Sequence, residues 1–274
     1  MRSPKISIVT PVYDSAAYIE DCILSVINQK YKNLEYIVID GGSSDGTKEI
    51  IEKYINDISI FISEKDNGQT QALNKGFNLA TGEIYGWLNA DEEYLPGTLN
   101  LVGSLFNENP KTEFFYGNRI VVDEKKNETG RTTFVKMHPK WFMLYRMKVV
   151  PTDTSFWRKS LHQKTGTLDE INFPQLSMDY DWLLRLSMNI RYWQNTNQFL
   201  SKFVSSKYNK TELASKEEIK SNSAVIRGTV IREHSISRLS LFLGWLIAGI
   251  YERWATGRTF QFPNIKKSLK TLFK

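Results

Sequence analysis

The sequence predicts an α/β fold with a mainly parallel central sheet flanked by helices, and three observations carry that prediction. Strand-like and helix-like segments alternate through the first hundred residues, as βαβ units require. The strand-like runs are continuously apolar, the pattern of parallel strands covered on both faces. At 274 residues the chain can also bury a substantial core.

Ile6–Val9 opens the series as a strand, followed by a helix over Ser15–Gln29 that places Ile19, Ile23, Val26 and Ile27 on one face. Strand Glu35–Asp40, helix Thr47–Tyr54, strand Ile58–Ser63, helix Thr70–Ala80 and strand Ile84–Asn89 continue it. Gly82 suits a helix stop after Ala80, and Pro96 the start of a helix over Thr98–Asn107. Beyond Pro110 the pattern turns mixed, with strands expected at Phe114–Tyr116, Arg119–Val122 and Thr132–Val135 and a turn over Asn127–Gly130. A helix over Ser177–Met188, strands Arg191–Gln194 and Phe199–Val204, and a helical region from Leu213 complete the series. The expected organisation is one domain over residues 1–210, with halves of about 1–110 and 111–210, and a helical, basic, amphipathic C-terminal extension over 211–274.

The net charge of +6 is localised: residues 232–274 hold eight Lys/Arg against two Asp/Glu, while the rest balances at 28 against 28. A basic excess at one end suits an anionic surface as partner. From Leu239 to Tyr251 thirteen residues carry no charge, fewer than the roughly 20 a helix needs to cross a bilayer. Further on, Ile265, Leu269, Leu272 and Phe273 are set against Lys266, Lys267, Lys270 and Lys274 at helical spacing. That pattern fits a helix lying in an anionic membrane interface. It equally fits a helix packed on its own domain or on a second copy, as in a homodimer. No nucleic-acid motif accompanies the charge, so nucleic acid is not an expected partner. Cys22 is the one cysteine and has no partner for an internal disulfide, and Met1 to Lys5 lead straight into a strand. A cytoplasmic location is expected, peripheral on the inner face of the plasma membrane where the tail binds lipid.

The most informative stretch is Ile84 to Glu93, an apolar run that ends in Asn89-Ala90-Asp91-Glu92-Glu93. In open α/β sheets ligands gather outside the carboxyl ends of the strands. Clustered carboxylates there suit Mg²⁺ or Mn²⁺ shared with a phosphorylated ligand; a solvated acidic loop is the plain alternative. Two more strand ends carry polar groups. Thr10-Pro11-Val12-Tyr13-Asp14 closes the first strand, and Asp40-Gly41-Gly42-Ser43-Ser44-Asp45-Gly46-Thr47 follows the second with glycines that let backbone approach a ligand. The histidines His138, His162 and His234 are scattered and show no metal-ligand spacing. Trp141, Phe142 and Tyr145, with Thr152 to Trp157, could stack on sugar rings or simply fill a core.

Taken together, Pro11-Val12-Tyr13, Asp40 with Ser44-Asp45-Gly46-Thr47, Asp66-Asn67-Gly68, Ala72-Leu73-Asn74-Lys75-Gly76, Ala80-Thr81-Gly82-Glu83, Leu88-Asn89-Ala90-Asp91 and Asp179-Tyr180-Asp181 before Leu183 to Leu186 stand in an informative order. The set resembles the inverting glycosyltransferases of family two, of GT-A fold, from about Ile6 to about Leu186. The resemblance implies a donor-binding half and an acceptor-side half within residues 1–210. It implies transfer of a sugar from a UDP-, dTDP- or GDP-sugar to a glycan or lipid-linked acceptor, in polysaccharide or cell-surface glycan synthesis. Pro11, Tyr13 and Asp14 would border the nucleotide base and Asp40 would bond it. Asp66, Asn74 and Lys75 would approach the donor, although Lys75 also reads as a plain surface lysine. Asn89, Ala90 and Asp91 hold the DXD-like position, with Asp91 the ligand of Mn²⁺ or Mg²⁺ on the diphosphate.

Asp179 resembles the base that deprotonates the acceptor hydroxyl, favoured over Asp181 by position in the motif; both could merely serve the first turn of a helix. Two departures stand out: Glu92 where many relatives have aspartate, and Met178 where many have glutamate before the base. Glu92 keeps the charge for metal binding. Met178 leaves room for a rival reading, a non-catalytic nucleotide-sugar-binding subunit of a glycan assembly complex. A nucleotidyltransferase on a related sheet would instead release pyrophosphate, and the sequence lacks the basic Gly-rich loop near the N-terminus that such an enzyme would carry.

Overall fold

The computed structural model describes residues 3–134, 136, 138–140, 143–144, 150–205 and 214–256. In chain order its elements are β1 (Ile6–Val12), α1 (Ile19–Ile27), β2 (Leu34–Asp40), α2 (Thr47–Glu52), β3 (Ile60–Ser63), α3 (Gln69–Leu79), β4 (Ile84–Trp87), β5 (Glu92–Tyr94), α4 (Thr98–Glu108), β6 (Phe114–Val122), β7 (Glu128–Thr132), β8 (Ser155–Arg158), α5 (Lys159–Thr165), α6 (Met178–Asn189), β9 (Trp193–Val204), α7 (Lys216–Glu233) and α8 (Arg238–Thr256). The strands form one mixed sheet in the order β3-β2-β1-β4-β8-β6-β9-β5, with β7 paired to β6. Strands β3, β2, β1 and β4 run parallel; β8 joins β4 and β6 antiparallel, β6 and β9 are parallel, and β5 and β9 antiparallel.

Alternation along the strands sends side chains to two hydrophobic clusters, one on each face. Val9, Ile37, Ile39 and Trp87 pack with α3, α5 and α6, whereas Ile8, Tyr36, Val38 and Ile84 pack with α1 and α4. Phe77 of α3, Tyr85 of β4, Trp157 of β8, His162 of α5 and Trp182 of α6 form a continuous aromatic seam that joins the parallel half to the rest. At the amino ends of the strands, buried Glu35 accepts hydrogen bonds from Lys5 Nζ, Ser7 Oγ, Thr81 N and Thr81 Oγ1 at 2.5–2.7 Å. Burial alone would raise its pKa, but the hydrogen bonds from Lys5, Ser7 and Thr81 outweigh burial and hold it at about 2.

Several expected boundaries move for physical reasons. The first helix starts at Ile19 because the Tyr18 and Ile19 amides turn back onto the Ser15 carbonyl. Phe114–Tyr116 and Arg119–Val122 fuse into β6, and Arg191–Gln194 and Phe199–Val204 into β9, since the two long strands pair along their length. The hairpin turn falls earlier than Asn127–Gly130: the Asp123 carboxylate accepts from the Lys125 and Asn127 amides, so β7 is Glu128–Thr132. Val135, Trp141, Phe142, Tyr145 and the tail from Ile265 to Lys274 lie outside the described residues. Ser215 caps α7 by accepting from the Glu218 amide, and α7 packs on α6. Among the described residues no helix is long and apolar enough to cross a membrane.

Candidate functional site

The parallel pairing sets the carboxyl ends of β3, β2, β1 and β4 side by side: Val12 lies opposite Asp40, Asp40 opposite Ser63 and Val9 opposite Trp87. Asp40 is fully buried. Its carboxylate accepts from Ser43 N at 3.1 Å, Ser43 Oγ at 2.5 Å and Ser63 Oγ at 2.6 Å. A carboxylate has about four acceptor positions, so these bonds aim the group without exhausting it. Pro11 is buried within β1, and beyond it the Tyr13 ring is 63% exposed. Asp14 is held by two bonds to the second strand end, its amide donating to Ser43 Oγ and its Oδ1 accepting from Ser44 N. The Tyr13 hydroxyl pKa is raised first by the charge of Asp14, then by Asp40 and Asp66, so these acids surround one small region.

Asp66 joins the group by close contact. A Cβ at Gly41 would lie 2.9 Å from the Asp66 carboxylate oxygens, so any larger residue there would displace that carboxylate. Asp66 Oδ1 also accepts from the Gly68 amide. The same loop reaches across the cleft in two directions. Gln69 Nε2 donates to Asn89 Oδ1 at 2.7 Å, and Thr70 donates through its amide and hydroxyl to the Pro174 and Phe173 carbonyls. Residues 66–70 thereby tie the end of β4 to the loop that enters α6.

The acidic run after β4 divides into three roles. Asn89 is fixed through its Oδ1 by Gln69 and by Trp87 Nε1 at 2.7 Å; Ala90 beside it is buried and Asp91 half-buried. Glu92 turns inward in β5 and accepts from the Asn89 amide at 2.7 Å. Burial first, then the charges of Asp153 and Asp91, push its carboxyl well above the usual range. Glu93 is ion-paired with Lys126 at 2.7 Å and Lys202 at 3.6 Å. The run is therefore not a cluster of three equivalent ligands, and Glu92 serves the turn rather than an open face. Among the described residues no group of three or more His, Cys, Asp or Glu side chains is placed to hold a metal. A single carboxylate at Asp91 still suits Mg²⁺ or Mn²⁺, because such ions commonly take one or two carboxylates and complete their shell from phosphates and water.

Asn74 and Lys75 are engaged elsewhere. Asn74 donates to the Leu168 carbonyl at 3.0 Å and to Glu170 Oε1 at 2.6 Å, and accepts from the Leu168 amide at 2.9 Å. It pins the 168–170 loop onto α3. Lys75 forms an ion pair with Glu64.

Asp179 stands in the first turn of α6, after Ser177 in a left-handed conformation at φ 65°. Its Oδ1 accepts from the Tyr180 amide at 2.8 Å. Burial pushes its pKa up, opposed by that amide and by the charge of Arg119. Asp181 behaves differently, since Arg185 Nε and Nη2 both bond its Oδ2. Met178, before Asp179, turns into the core and is 6% exposed.

Sequence reasoning missed Arg119 and Asp153. Asp153 is fully buried between β6 and β9, taking Arg119 Nη1 at 3.3 Å and Ser201 Oγ at 2.5 Å. The Arg119 guanidinium lies 4.3 Å from the Phe203 ring centroid. Its charge favours the ionised forms of Glu92 and Asp179 against the larger effect of burial. An arginine inside an apolar strand paired with an aspartate in a Thr-rich segment was the available signal, but nothing in the sequence says the two meet.

An α/β sheet whose parallel strands end side by side in polar groups defines the class. The chain belongs to glycosyl transferase family 2, whose family model matches residues 7–165, and its fold is the GT-A fold of glycosyltransferases. An uncharacterized glycosyltransferase of Rickettsia typhi is 36% identical over 129 residues, 46% of this chain and 39% of that protein. The putative teichuronic acid biosynthesis glycosyltransferase TuaG of Bacillus subtilis is 34% identical over 94 residues, 33% of this chain and 37% of TuaG. For three Rickettsia relatives the matched stretch spans only 39%, 20% and 39% of their own length. Among solved structures, S. aureus TarS 1–349 superposes with a TM-score of 0.66 at 18% identity, covering 97% of this chain and 77% of that one. Mannosyltransferase PcManGT from Pyrobaculum calidifontis, in complex with GDP-Man and Mn²⁺, gives a TM-score of 0.63 at 18% identity, covering 99% and 74%.

Proposed function

We propose that the chain is an inverting, metal-dependent glycosyltransferase that moves a sugar from a nucleotide-diphosphate sugar to a glycan or lipid-linked acceptor. The observation that supports the reading is the tie between Asn89, two residues before Asp91, and the loop that enters α6 ahead of Asp179. The 66–70 loop bonds Asn89 on one side and the entry to α6 on the other. The uridine, thymidine or guanosine of the donor would lie over Pro11, Tyr13 and Asp14, with Asp40 accepting from the base N–H. Neighbouring structures of similar fold bind UDP-GlcNAc or GDP-Man, and TuaG is named for teichuronic acid synthesis; a cell-surface polysaccharide is the corresponding product class here.

Asp91 would hold Mn²⁺ or Mg²⁺, which when bound offsets charge on the departing nucleoside diphosphate. Asp179 takes the proton from the acceptor hydroxyl as that oxygen attacks the anomeric carbon from the face opposite the leaving group, which inverts the centre in one displacement. Its raised pKa makes it a stronger base than an ordinary aspartate. Asp181, committed to Arg185, is not placed for this. Asn74 serves the scaffold by holding the 168–170 loop on α3, while Lys75 pairs with Glu64 beside the carboxyl ends of β2 and β3. Met178, where many relatives carry glutamate, turns into the core, and tight nucleotide binding without turnover would favour the non-catalytic subunit instead.

Attachment to an anionic membrane through the C-terminal tail belongs to the same reading. Leu239, Leu243, Ile247 and Ile250 of α8 are 44–65% exposed along one stripe next to the basic end of the chain. Leu243→Asp with Ile247→Asp should abolish sedimentation with anionic vesicles if this surface meets lipid. Nucleotide release across a panel of UDP-, dTDP- and GDP-sugars with Mn²⁺ tests the function itself. Turnover with one donor, and loss of nucleotide binding by roughly tenfold or more in Asp91→Ala, is the expected result. Neither turnover nor metal-dependent nucleotide binding with any donor would overturn it.

A further inference from the structure

Three arginines of this fold engage the edge of the guanidinium formed by Nε and Nη2, while Arg119 reaches Asp153 through Nη1 with its Nε unpartnered. Arg131 gives this edge to the two oxygens of Glu128, Arg158 to the Thr112 and Phe106 carbonyls, and Arg185 to Asp181. Arg227 of α7 departs from the pattern. It is 4% exposed, and among the described residues neither its buried Nε nor its buried Nη2 has a hydrogen-bond partner. Among the described residues it forms no ion pair, and the titratable group that acts on it is the neutral phenol of Tyr180. A guanidinium stays protonated in proteins, and a buried charge without a counter-ion is strongly destabilising. A sequence that keeps one there calls for an anion.

Its position indicates which anion. Tyr180 directly follows Asp179, and one turn before Arg227 in α7 Asn222 Nδ2 donates to Ser177 Oγ at 3.4 Å, two residues ahead of Asp179. Ile226 and Val230 bury α7 against the same core cluster as Tyr180. Arg227 therefore backs the helical turn that presents Asp179, while Arg119 is the cation that acts on Asp179 itself. We infer that Arg227 is a phosphate-binding residue whose Nε and Nη2 edge takes two oxygens of a substrate phosphate arriving beside the first turn of α6. Planar two-point contact of this kind is how arginine recognises phosphate. The phosphate comes either from the donor diphosphate or from a lipid-linked acceptor that carries one, and for that origin the inference rests on the transfer reading above.

The test uses the full chain with Arg227→Met, which keeps an unbranched apolar stem and removes the charge. Binding of UDP and GDP with Mn²⁺ is measured by calorimetry, followed by geranyl diphosphate added at saturating nucleotide, with Asp91→Ala as control. The ligand-free variant should melt at or above wild type, and one ligand should bind about tenfold or more weakly. Weakened nucleotide binding assigns the donor phosphate, and weakened geranyl diphosphate binding alone assigns the acceptor. A variant that binds both ligands as wild type does overturns the inference; if Asp91→Ala has meanwhile lost the nucleotide, the transfer reading survives. Wild type that binds neither ligand overturns both. Should Arg227→Met fail to fold, Arg227→Lys keeps the charge but lacks the edge, and wild-type binding of both ligands by that variant would overturn the inference equally.

Discussion

Strands β1, β2 and β4 run parallel with nearly every side chain buried and β3 half-buried at their edge, whereas β7 and β9 leave long polar stretches half in solvent. In the first region each strand is short, apolar and followed at its carboxyl end by a polar cluster, so position in the fold and position in the sequence nearly coincide. Asp40, Asp14 and Asn89 reach the cleft simply by ending strands. The second region brings Asp153, Arg119 and Asp179 together from a buried turn, a mid-strand position and a helix start, and only tertiary packing makes them neighbours. The difference teaches that the strand-end groups are set by local chain geometry, while the groups beyond β4 depend on long-range assembly.

The largest expected effect comes from breaking the seam that joins the two regions. Trp182 is fully buried, stacks near Phe77 and Trp157, and donates to the Gly166 carbonyl at 3.0 Å. Trp182→Ala should cost about 3–5 kcal/mol in urea unfolding. One shifted, cooperative transition means the regions are a single folding unit; two separated transitions would mean they are independent.

A smaller effect confined to the parallel region is expected at Glu35. Glu35→Gln should destabilise by about 2 kcal/mol, the range for buried hydrogen bonds to a charged group. The folded pKa of about 2 lies below the ordinary 4.5, so the stability Glu35 contributes is present above pH 4.5 and is lost as pH falls towards 2. Wild type and Glu35→Gln should therefore converge in unfolding free energy at acid pH, and parallel pH curves would refute the assignment.

Asn74 and Lys75 sharpen the comparison at its boundary. Asn74→Ala should cost about 1–3 kcal/mol by releasing the 168–170 loop, with nucleotide affinity unchanged by calorimetry. Lys75→Gln should change stability by less than about 1 kcal/mol, as a surface ion pair does. A tenfold loss of nucleotide affinity in either variant would return that residue to the donor site.

How much was legible follows from the same contrast. Continuous apolar runs with glycine-rich or acidic ends marked β1 to β4, and Pro96 marked the start of the helix expected over Thr98–Asn107 and found at Thr98–Glu108. Strand β8 was not visible, because Thr152-Asp153-Thr154-Ser155 reads as a polar loop. It is buried, and it can be buried because Arg119 and Ser201 satisfy Asp153 and the Pro151 carbonyl accepts from Ser155. The polar stretch Gln194 to Gln198 hid the continuity of β9. Asp179 stood out only through resemblance to a family motif, since an aspartate in the first turn of a helix is ordinary. Three acidic side chains after β4 looked equivalent in sequence, yet strand alternation and two lysines leave Glu92 and Glu93 with structural tasks.

The measurement that bears most directly on the account is single-turnover transfer against pH in wild type and Asp179→Asn, with nucleotide binding measured on the same samples. The account predicts that Asp179→Asn binds nucleotide as wild type does and transfers about 10²- to 10⁴-fold more slowly. It also predicts that the wild-type rate falls on the acid side at a pH above the ordinary aspartate value of 3.8, because burial raises the Asp179 pKa. An Asp179→Asn variant that transfers at the wild-type rate would contradict it.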